Sequence, residues 1–303
     1  MAGEAYYTSE HFRQQRRLLV NGDPRALVCF CIDVSQSMDE WWIQEGGLRR
    51  NNGAGFADGH NVNYFDLRDI RPGYEHYQKM AKLNETLGAL LNEIKRDRNL
   101  CTQVAISIVT YSNFAKVKYD FLDCEDVNVD ACLCKIEKDE TAMGDGIRTS
   151  LMQIDEMRNE LIEANNDHYT PILVFMTDGT PTDDPRKEFE LVRDRVEKGD
   201  LFLFPLGIGE EADMDMLRKM FPVGHVPPMF DSRYKMIRPK DYMDIFQEIK
   251  SHVKRKMTVM VSEGSSMQSV PAMQSQDVAN NQMGESIMDN DSLLDALLAQ
   301  DYV

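Results

Sequence analysis

Several features that define common protein classes are missing from this 303-residue sequence. No apolar run approaches the roughly 20 residues that a membrane-spanning helix needs, so we expect no membrane segment. The first residues lack the charged and then apolar regions of a secretory leader, which favours a cytoplasmic location. Neither a Gly-x-Ser-x-Gly nucleophile turn nor a Gly-x-x-x-x-Gly-Lys phosphate loop occurs. These absences disfavour a serine hydrolase of that type and a P-loop nucleotidase.

Positive charge and paired cysteines are also scarce. The net charge of −17 disfavours nucleic acid as a partner, because phosphate contacts depend on clusters of Lys and Arg. Cys29 and Cys31 lie in one apolar run, and we expect them to be small core residues. The other four cysteines could form a zinc site, an alternative that lacks the C-x-x-C pairs of zinc signatures. They are Cys101, Cys124, Cys132 and Cys134.

Two uncharged segments end abruptly in side chains that contain oxygen. Residues 27–32 precede Asp33, Ser35 and Ser37, and residues 171–176 precede Thr177 and Asp178. Continuous apolar runs of this length predict strands that are buried on both faces of a parallel sheet. An open α/β sheet binds its ligands at the carboxyl ends of such strands. We therefore expect these side chains to converge at one edge of the sheet.

The spacing Asp33-x-Ser35-x-Ser37 resembles the metal-ion-dependent adhesion site of the von Willebrand factor A domain family. The resemblance implies two further positions, Thr141 in a second loop and Asp178 in a third. It also implies that the serines and the threonine bind the metal directly and that the aspartates hold metal-bound waters. We expect Mg²⁺, or Mn²⁺ or Ca²⁺, because these hard cations take oxygen ligands. In the alternative interpretation, the same residues are only helix caps and turn residues.

The sequence differs from the usual motif of the family in both of the loops that precede Asp178. Gln36 replaces a commoner Gly between the two serines, and Asp139-Glu140 replaces a Gly-Gly pair before Thr141. These changes add bulk and negative charge beside the predicted site. We expect them to alter its affinity for metal.

Strands and helices alternate along the chain, as an α/β fold requires. We predict a doubly wound, mostly parallel sheet of about six strands with helices on both faces. A hairpin over 103–111 and 116–122 supplies one antiparallel edge strand. Three- and four-residue spacing of apolar side chains predicts the helices. They cover 76–98, 146–165, 185–198, 212–220 and 241–256.

The predicted domain covers residues 25–257, after an N-terminal extension over 1–24. Within it, 39–74 is an insertion rich in Gly and Asn that leaves directly from the first metal loop. Loops of this length are usually functional or disordered. We predict that Trp41 and Trp42, the only tryptophans, anchor a partner protein. In the alternative, they cover the edge of the sheet.

Residues 258–303 form an acidic tail that we predict to be disordered up to a short amphipathic helix over 287–299. A helix of this kind on a tether is suited to docking in a groove. Its carboxylates could fill the metal site in cis or in a neighbouring copy, which would give self-inhibition or self-association. The alternative is a frayed terminus without a role. The carboxylates of the tail that could do so belong to Asp289, Asp291, Asp295 and Asp301.

The sequences of residues 171–184 and 206–217 are similar to those of a cytoplasmic bacterial branch of the family. This branch is associated with tellurite resistance and chemical stress. That resemblance implies a non-enzymatic adaptor or scaffold that works beside kinase-like or phosphatase-like proteins. Its metal would bind an Asp or Glu of the partner. One alternative is a metal-dependent phosphate-ester hydrolase, although the haloacid-dehalogenase type needs a second Asp where this chain has Ser35. Another is a structural subunit of a larger assembly.

Overall fold

A computed structural model of the chain describes residues 24–43, 47–48, 55–57, 60–62, 76–137, 140–210, 212–227, 230–237 and 239–262. The chain divides into two compact units, Met1–Thr258 and Val259–Val303. Residues 259–262, at the end of a helix, are the described part of the second unit. The predictions for residues 1–23 and for the tail helix with Asp289, Asp291 and Asp295 lie outside the described residues.

The strands and helices of the described residues follow in chain order. The strands are β1 (Ala26–Asp33), β2 (Trp41–Ile43), β3 (Gly47–Leu48), β4 (Gly55–Ala57), β5 (His60–Val62), β6 (His76–Gln78), β7 (Val104–Tyr111), β8 (Ala115–Asp123), β9 (Ile172–Thr177), β10 (Phe202–Ile208) and β11 (Lys235–Met236). The helices are α1 (Lys79–Arg96), α2 (Arg98–Gln103), α3 (Val129–Cys132), α4 (Met143–Glu163), α5 (Arg186–Glu197), α6 (Met214–Arg218), α7 (Phe230–Arg233) and α8 (Pro239–Ser262). A single 3-10 turn, Gln36–Asp39, follows β1.

A six-stranded sheet in the order β11-β10-β9-β1-β7-β8 forms the centre of the fold. Neighbouring strands are parallel except β7 and β8, which are antiparallel. Every residue of β1, β7 and β9 is buried, as their uncharged sequences predict. The predicted α/β fold class, with its antiparallel edge strand and surrounding helices, is confirmed. The two strands that end at the predicted metal residues, β1 and β9, are direct neighbours.

The first long helix begins later than predicted. The apolar spacing predicts a helix from residue 76, but His76–Gln78 is strand β6 and the helix begins at Lys79. The reason is tertiary: β6 pairs antiparallel with β2, so the sheet satisfies the backbone of these residues. The helix predicted over 212–220 is shorter, Met214–Arg218, because the Asp213 carboxylate accepts a hydrogen bond from the Met216 N–H at 2.8 Å and starts the helix there.

The predicted insertion begins and ends at a small sheet of its own. Strands β2, β3 and β6 form a three-stranded sheet, and β4 and β5 form a two-stranded one. The segment is closed at its base, where the Lys79 N–H donates a hydrogen bond to the Glu40 carbonyl at 3.1 Å. Trp41 and Trp42 lie in β2, and their side chains lie outside what the structure describes. Their role as partner anchors stays a prediction.

Across the residues that the structure describes, none of the helices is long and apolar enough to cross a membrane.

The closed base of the insertion predicts that the core folds without most of the segment. The last pair of β2 and β6 is Ile43 with His76, so a two-residue Asn-Gly turn in place of residues 44–75 would make a tight hairpin. We expect this variant to unfold cooperatively, with a midpoint no more than about 4 °C below that of the parent, since a shorter loop costs less entropy to close. Thermal unfolding followed by circular dichroism measures this. A variant without a cooperative transition would show that residues 44–75 are part of the core.

Candidate metal centre

Asp33 is held in place through both of its carboxylate oxygens. It ends β1, whose register pairs Ile32 with Met176 of β9, so that Asp33 lies level with Thr177. The Ser35 N–H donates to Oδ1 at 2.9 Å, and the Thr177 hydroxyl donates to Oδ2 at 2.8 Å. The side chain is completely buried. Asp33 is therefore a fixed acceptor at the floor of the site.

A continuous row of side-chain oxygens leads from β1 to β9. Ser35 Oγ lies 3.0 Å from Ser37 Oγ, and the Ser37 hydroxyl donates to Asp178 Oδ1 at 2.7 Å. Neighbouring oxygens of an octahedral Mg²⁺ lie about 3 Å apart, because each is about 2.1 Å from the metal. The two serine oxygens thus have the separation of one edge of such an octahedron. Ser35 and Asp178 are buried, whereas Ser37 is half-buried.

Thr141 lies in the loop before α4 and is fastened to the loop that contains Asp178. The Thr141 N–H donates to Thr182 Oγ1 at 3.1 Å, and the Thr182 N–H donates to the Thr141 carbonyl at 3.0 Å. Thr141 Oγ1 lies 3.9 Å from the position that a Cβ on Gly179 would take, so the hydroxyl faces the Asp178-Gly179 turn. The structure therefore gathers the five predicted residues at one edge of the sheet. Four of them are connected by direct hydrogen bonds, and Thr141 faces the turn that follows β9.

Two of the residues that distinguish this chain from the usual family motif are exposed. Gln36 is exposed on the 3-10 turn, and Glu140 is exposed before Thr141. Asp139 lies outside the described residues. The hydrogen bonds of the oxygen row from Ser35 to Asp178 involve neither Gln36 nor Glu140.

Lys79 completes the cluster, and sequence reasoning missed it. Only 2% of the side chain is exposed, and its Nζ donates to Asp178 Oδ2 at 2.8 Å, to Glu40 Oε2 at 2.7 Å and to the Ser37 carbonyl at 3.5 Å. Lys79 is the first residue of α1, where the helix dipole disfavours a positive charge. A lysine in that position is the signal that could have indicated a carboxylate partner.

Gly209, at the end of β10, makes room for the Lys79 side chain. Its φ of 85° lies in the left-handed region that favours glycine. A Cβ at this position would lie 2.9 Å from Lys79 Cε and 3.3 Å from Nζ. A side chain at position 209 would therefore crowd the end of the Lys79 side chain, which contacts Asp178.

Negative charge exceeds positive charge in this cluster. Burial and, after it, the neighbouring Asp178 carboxylate raise the pKa of Asp33 to about 6, although the hydrogen bonds from Ser35 and Thr177 lower it. Burial alone lowers the pKa of Lys79, but its contacts with Asp178 and Glu40 outweigh burial and raise that pKa overall. The cluster thus contains three carboxylates and one ammonium, which contacts two of them, Asp178 and Glu40. An additional cation would relieve the repulsion between Asp33 and Asp178.

The donor set is chemically suited to a hard divalent cation. All of its side-chain ligand atoms are hydroxyl or carboxylate oxygens, which Mg²⁺, Mn²⁺ and Ca²⁺ prefer over softer metals. Within the described ranges, no group of three or more His, Cys, Asp or Glu side chains could hold a metal. The zinc alternative therefore has no support, and its cysteines are free thiols: Cys101, Cys124, Cys132 and Cys134. The predicted core cysteines, Cys29 and Cys31, are buried and also free.

Comparison with known families gives one match that covers more than half of the chain. A sequence model of the von Willebrand factor type A domain matches residues 76–248. The matched range includes Thr141, Asp178 and Lys79, and it begins after the loop that contains Ser35 and Ser37.

Solved structures with similar folds come from several sources. Proximal thread matrix protein 1 from the mussel byssus is 13% identical with a TM-score of 0.44, and the match covers 78% of this chain and 47% of that protein. The PilB minor pilin from Streptococcus sanguinis is 13% identical with a TM-score of 0.48, over 81% of this chain and 64% of the pilin. A von Willebrand factor type A protein from Catenulispora acidiphila is 15% identical with a TM-score of 0.44, over 76% and 43%. This chain spans less than two thirds of each of these proteins.

The raised pKa of Asp33 predicts how stability without metal depends on pH. Its pKa is about 6 in the folded protein against 3.8 for the ordinary group, so the folded state binds more protons between these values. Stability is then lost as the pH rises through this window, by up to roughly 3 kcal/mol. Asp33→Asn removes the carboxyl group that titrates, so the variant should not lose this part of its stability as the pH rises. In chelator, urea unfolding should show the variant gaining on the parent from pH 4 to pH 7.

The matched control is Asp215→Asn, whose side chain is 91% exposed. We expect it to leave the pH profile of the parent unchanged. A constant difference between Asp33→Asn and the parent over the whole range would show that the pKa of Asp33 is the same in the folded and unfolded states and would contradict the prediction.

Proposed function

Because this chain belongs to the von Willebrand factor type A domain family, we propose that it is a divalent-cation-dependent protein interaction module. Domains of this family are commonly protein-interaction modules. The observation that supports metal dependence is the row of oxygens Ser35, Ser37 and Asp178, with spacings of 3.0 and 2.7 Å at the ends of two neighbouring strands. Mg²⁺ is the ion that we propose first, with Mn²⁺ and Ca²⁺ as substitutes.

The residues of the cluster would have different roles in such a site. Ser35, Ser37 and Thr141 would hold the cation directly, while Asp33 and Asp178 would balance its charge and accept hydrogen bonds from its waters. When bound, the cation supplies a coordination position that a carboxylate can fill. Ser37 is the half-buried member, so the open position would face outwards on its side. A partner protein would supply an Asp or Glu there.

The finer parts of the proposal depend on resemblance. The similarity of residues 171–184 and 206–217 to the tellurite-resistance branch of the family supports a role in a bacterial stress-response or signalling system. There the chain would act beside kinase-like or phosphatase-like partners in the cytoplasm. Trp41, one residue beyond Glu40 at the base of the insertion, lies next to the metal edge in the chain, which supports the insertion as part of the partner surface. Self-association through the acidic tail stays a prediction.

An enzymatic role has weaker support. A phosphate-ester hydrolase of the haloacid-dehalogenase type needs an acid two residues after Asp33 to move a proton. Ser35 takes that position, and its hydroxyl lies against Ser37. No observation in the described cluster favours the structural-subunit alternative over binding.

Metal binding and partner binding should fail together when one proposed ligand is removed. Ser37→Ala deletes the hydroxyl at the centre of the oxygen row, and we expect at least a tenfold loss of Mg²⁺ affinity in isothermal titration calorimetry. A partner retained by the immobilised parent protein with Mg²⁺ should be lost with chelator and with Ser37→Ala.

Ser150→Ala is the matched control, because it removes a buried hydroxyl that donates within α4 to the Gly146 carbonyl at 2.8 Å. It should bind Mg²⁺ and partner like the parent. Unchanged Mg²⁺ affinity in Ser37→Ala, or a parent protein that binds no Mg²⁺ at millimolar concentration, would overturn the proposal.

A further inference from the structure

A positive charge of the chain itself already lies in the cluster. The ammonium of Lys79 has three acceptors for its three N–H bonds, on Asp178, Glu40 and the Ser37 carbonyl. One of these contacts uses Asp178 Oδ2, while Asp178 Oδ1 accepts from Ser37. Both oxygens of the proposed metal carboxylate are therefore engaged, one by a ligand hydroxyl and one by a cation.

In this arrangement the positive charge of Lys79 would repel a divalent cation bound at the cluster. A metal beside Ser35 and Ser37 would lie close to Asp178 and so close to the ammonium. Charges of the same sign that lie a few ångströms apart in a buried site repel strongly, because the effective dielectric constant there is far below that of water. Asp178 can balance one of these cations more completely than both.

Glu40 gives the ammonium a second position. Its side chain is 22% exposed, whereas the Asp178 side chain is completely buried, so Glu40 lies on the solvent side of Lys79. The 2.7 Å contact with Glu40 does not involve any predicted metal residue. Lys79 can therefore keep one carboxylate while it gives up the other.

We propose that Lys79 is a built-in counter-cation that competes with the divalent cation for Asp178, and that metal binding shifts its ammonium towards Glu40. The inference rests on the proposed metal site and adds to it a means of setting affinity. Without metal, Lys79 balances the buried Asp178. With metal, the same charge opposes binding, so the chain holds its cation less tightly than the oxygen donors alone would.

A shift of the Lys79 ammonium towards Glu40 would also affect the base of the insertion. Glu40 and Lys79 are the residues at which that segment leaves and rejoins the domain, and the Lys79 N–H donates to the Glu40 carbonyl. Beside them, the Gln78 side chain donates a hydrogen bond to Asp39. A change in the Lys79–Glu40 contact would therefore be felt where β2 and β6 begin to pair.

The test compares two lysines of the same helix. Lys79→Met keeps the apolar stem and removes the ammonium, and we expect its Mg²⁺ affinity to rise at least about tenfold, since one buried repulsion is lost. Lys82→Met removes the same charge from a lysine that pairs with Glu85 at 2.8 Å, outside the cluster. It should match the parent. Isothermal titration calorimetry with Mg²⁺ alone on the full chain measures both.

The outcomes separate this inference from the metal proposal. Tighter Mg²⁺ binding by Lys79→Met only would support the competition. A parent protein that binds Mg²⁺, with equal or weaker binding by Lys79→Met, would overturn the inference and leave the metal site intact. If neither protein binds Mg²⁺, the metal proposal fails and the inference fails with it.

A measurement on the unaltered chain removes any dependence on how the variant folds. Acylation of lysines by an amine-reactive ester, followed by peptide mass spectrometry, reports the accessibility of each amine. As Mg²⁺ saturates the site, Lys79 should become more reactive over the concentration range of the binding curve, while Lys82 stays constant. A Lys79 reactivity that does not change while Mg²⁺ binds would overturn the proposed displacement.

Discussion

Two carboxylates buried side by side dominate the edge of this sheet. Asp33 is completely buried and Asp178 is 3% exposed, at the ends of neighbouring parallel strands. Buried charges of the same sign are unfavourable unless hydrogen bonds or a cation compensate them, and the raised pKa of Asp33 reflects this strain on its ionised form. The surrounding loops can be understood as the means by which that charge is compensated. Ser35 and Thr177 donate to Asp33, and Ser37 and Lys79 donate to Asp178.

The same requirement links segments that are far apart in the sequence. Thr141 and Thr182 hold the second and third loops together through two hydrogen bonds, one from the Thr141 N–H to the Thr182 hydroxyl oxygen and one from the Thr182 N–H to the Thr141 carbonyl. Lys79 connects the third loop to the beginning of α1 and, through Glu40, to the base of the insertion. A cation bound at this edge would therefore lie among the loops after β1 and β9 and the start of α1, which these contacts connect. This connection between charge and loop position is the physical basis of the metal-dependent binding surface that we propose.

Much of the fold and of the site follows from local sequence. Uncharged runs predict β1 and β9, and parallel neighbours necessarily bring the residues after them to one edge, which is why Asp33 and Asp178 converge. The short strand His76–Gln78 was not predictable, because its apolar spacing continues that of α1 and only pairing with β2 decides its conformation. Lys79 was missed for a similar reason. Its partner Asp178 is distant in the chain, and a lysine on a helix is ordinarily solvated.

The most direct test of this account is a crystal structure with Mn²⁺, which anomalous scattering locates without assumptions about its ligands. The account predicts one Mn²⁺ within about 2.5 Å of the Ser35 and Ser37 hydroxyl oxygens, with the Lys79 ammonium no longer bonded to Asp178. A structure at millimolar Mn²⁺ without metal at this cluster, and with Lys79 still bonded to both Asp178 and Glu40, would contradict it. Lys79 would then be the permanent cation of the site.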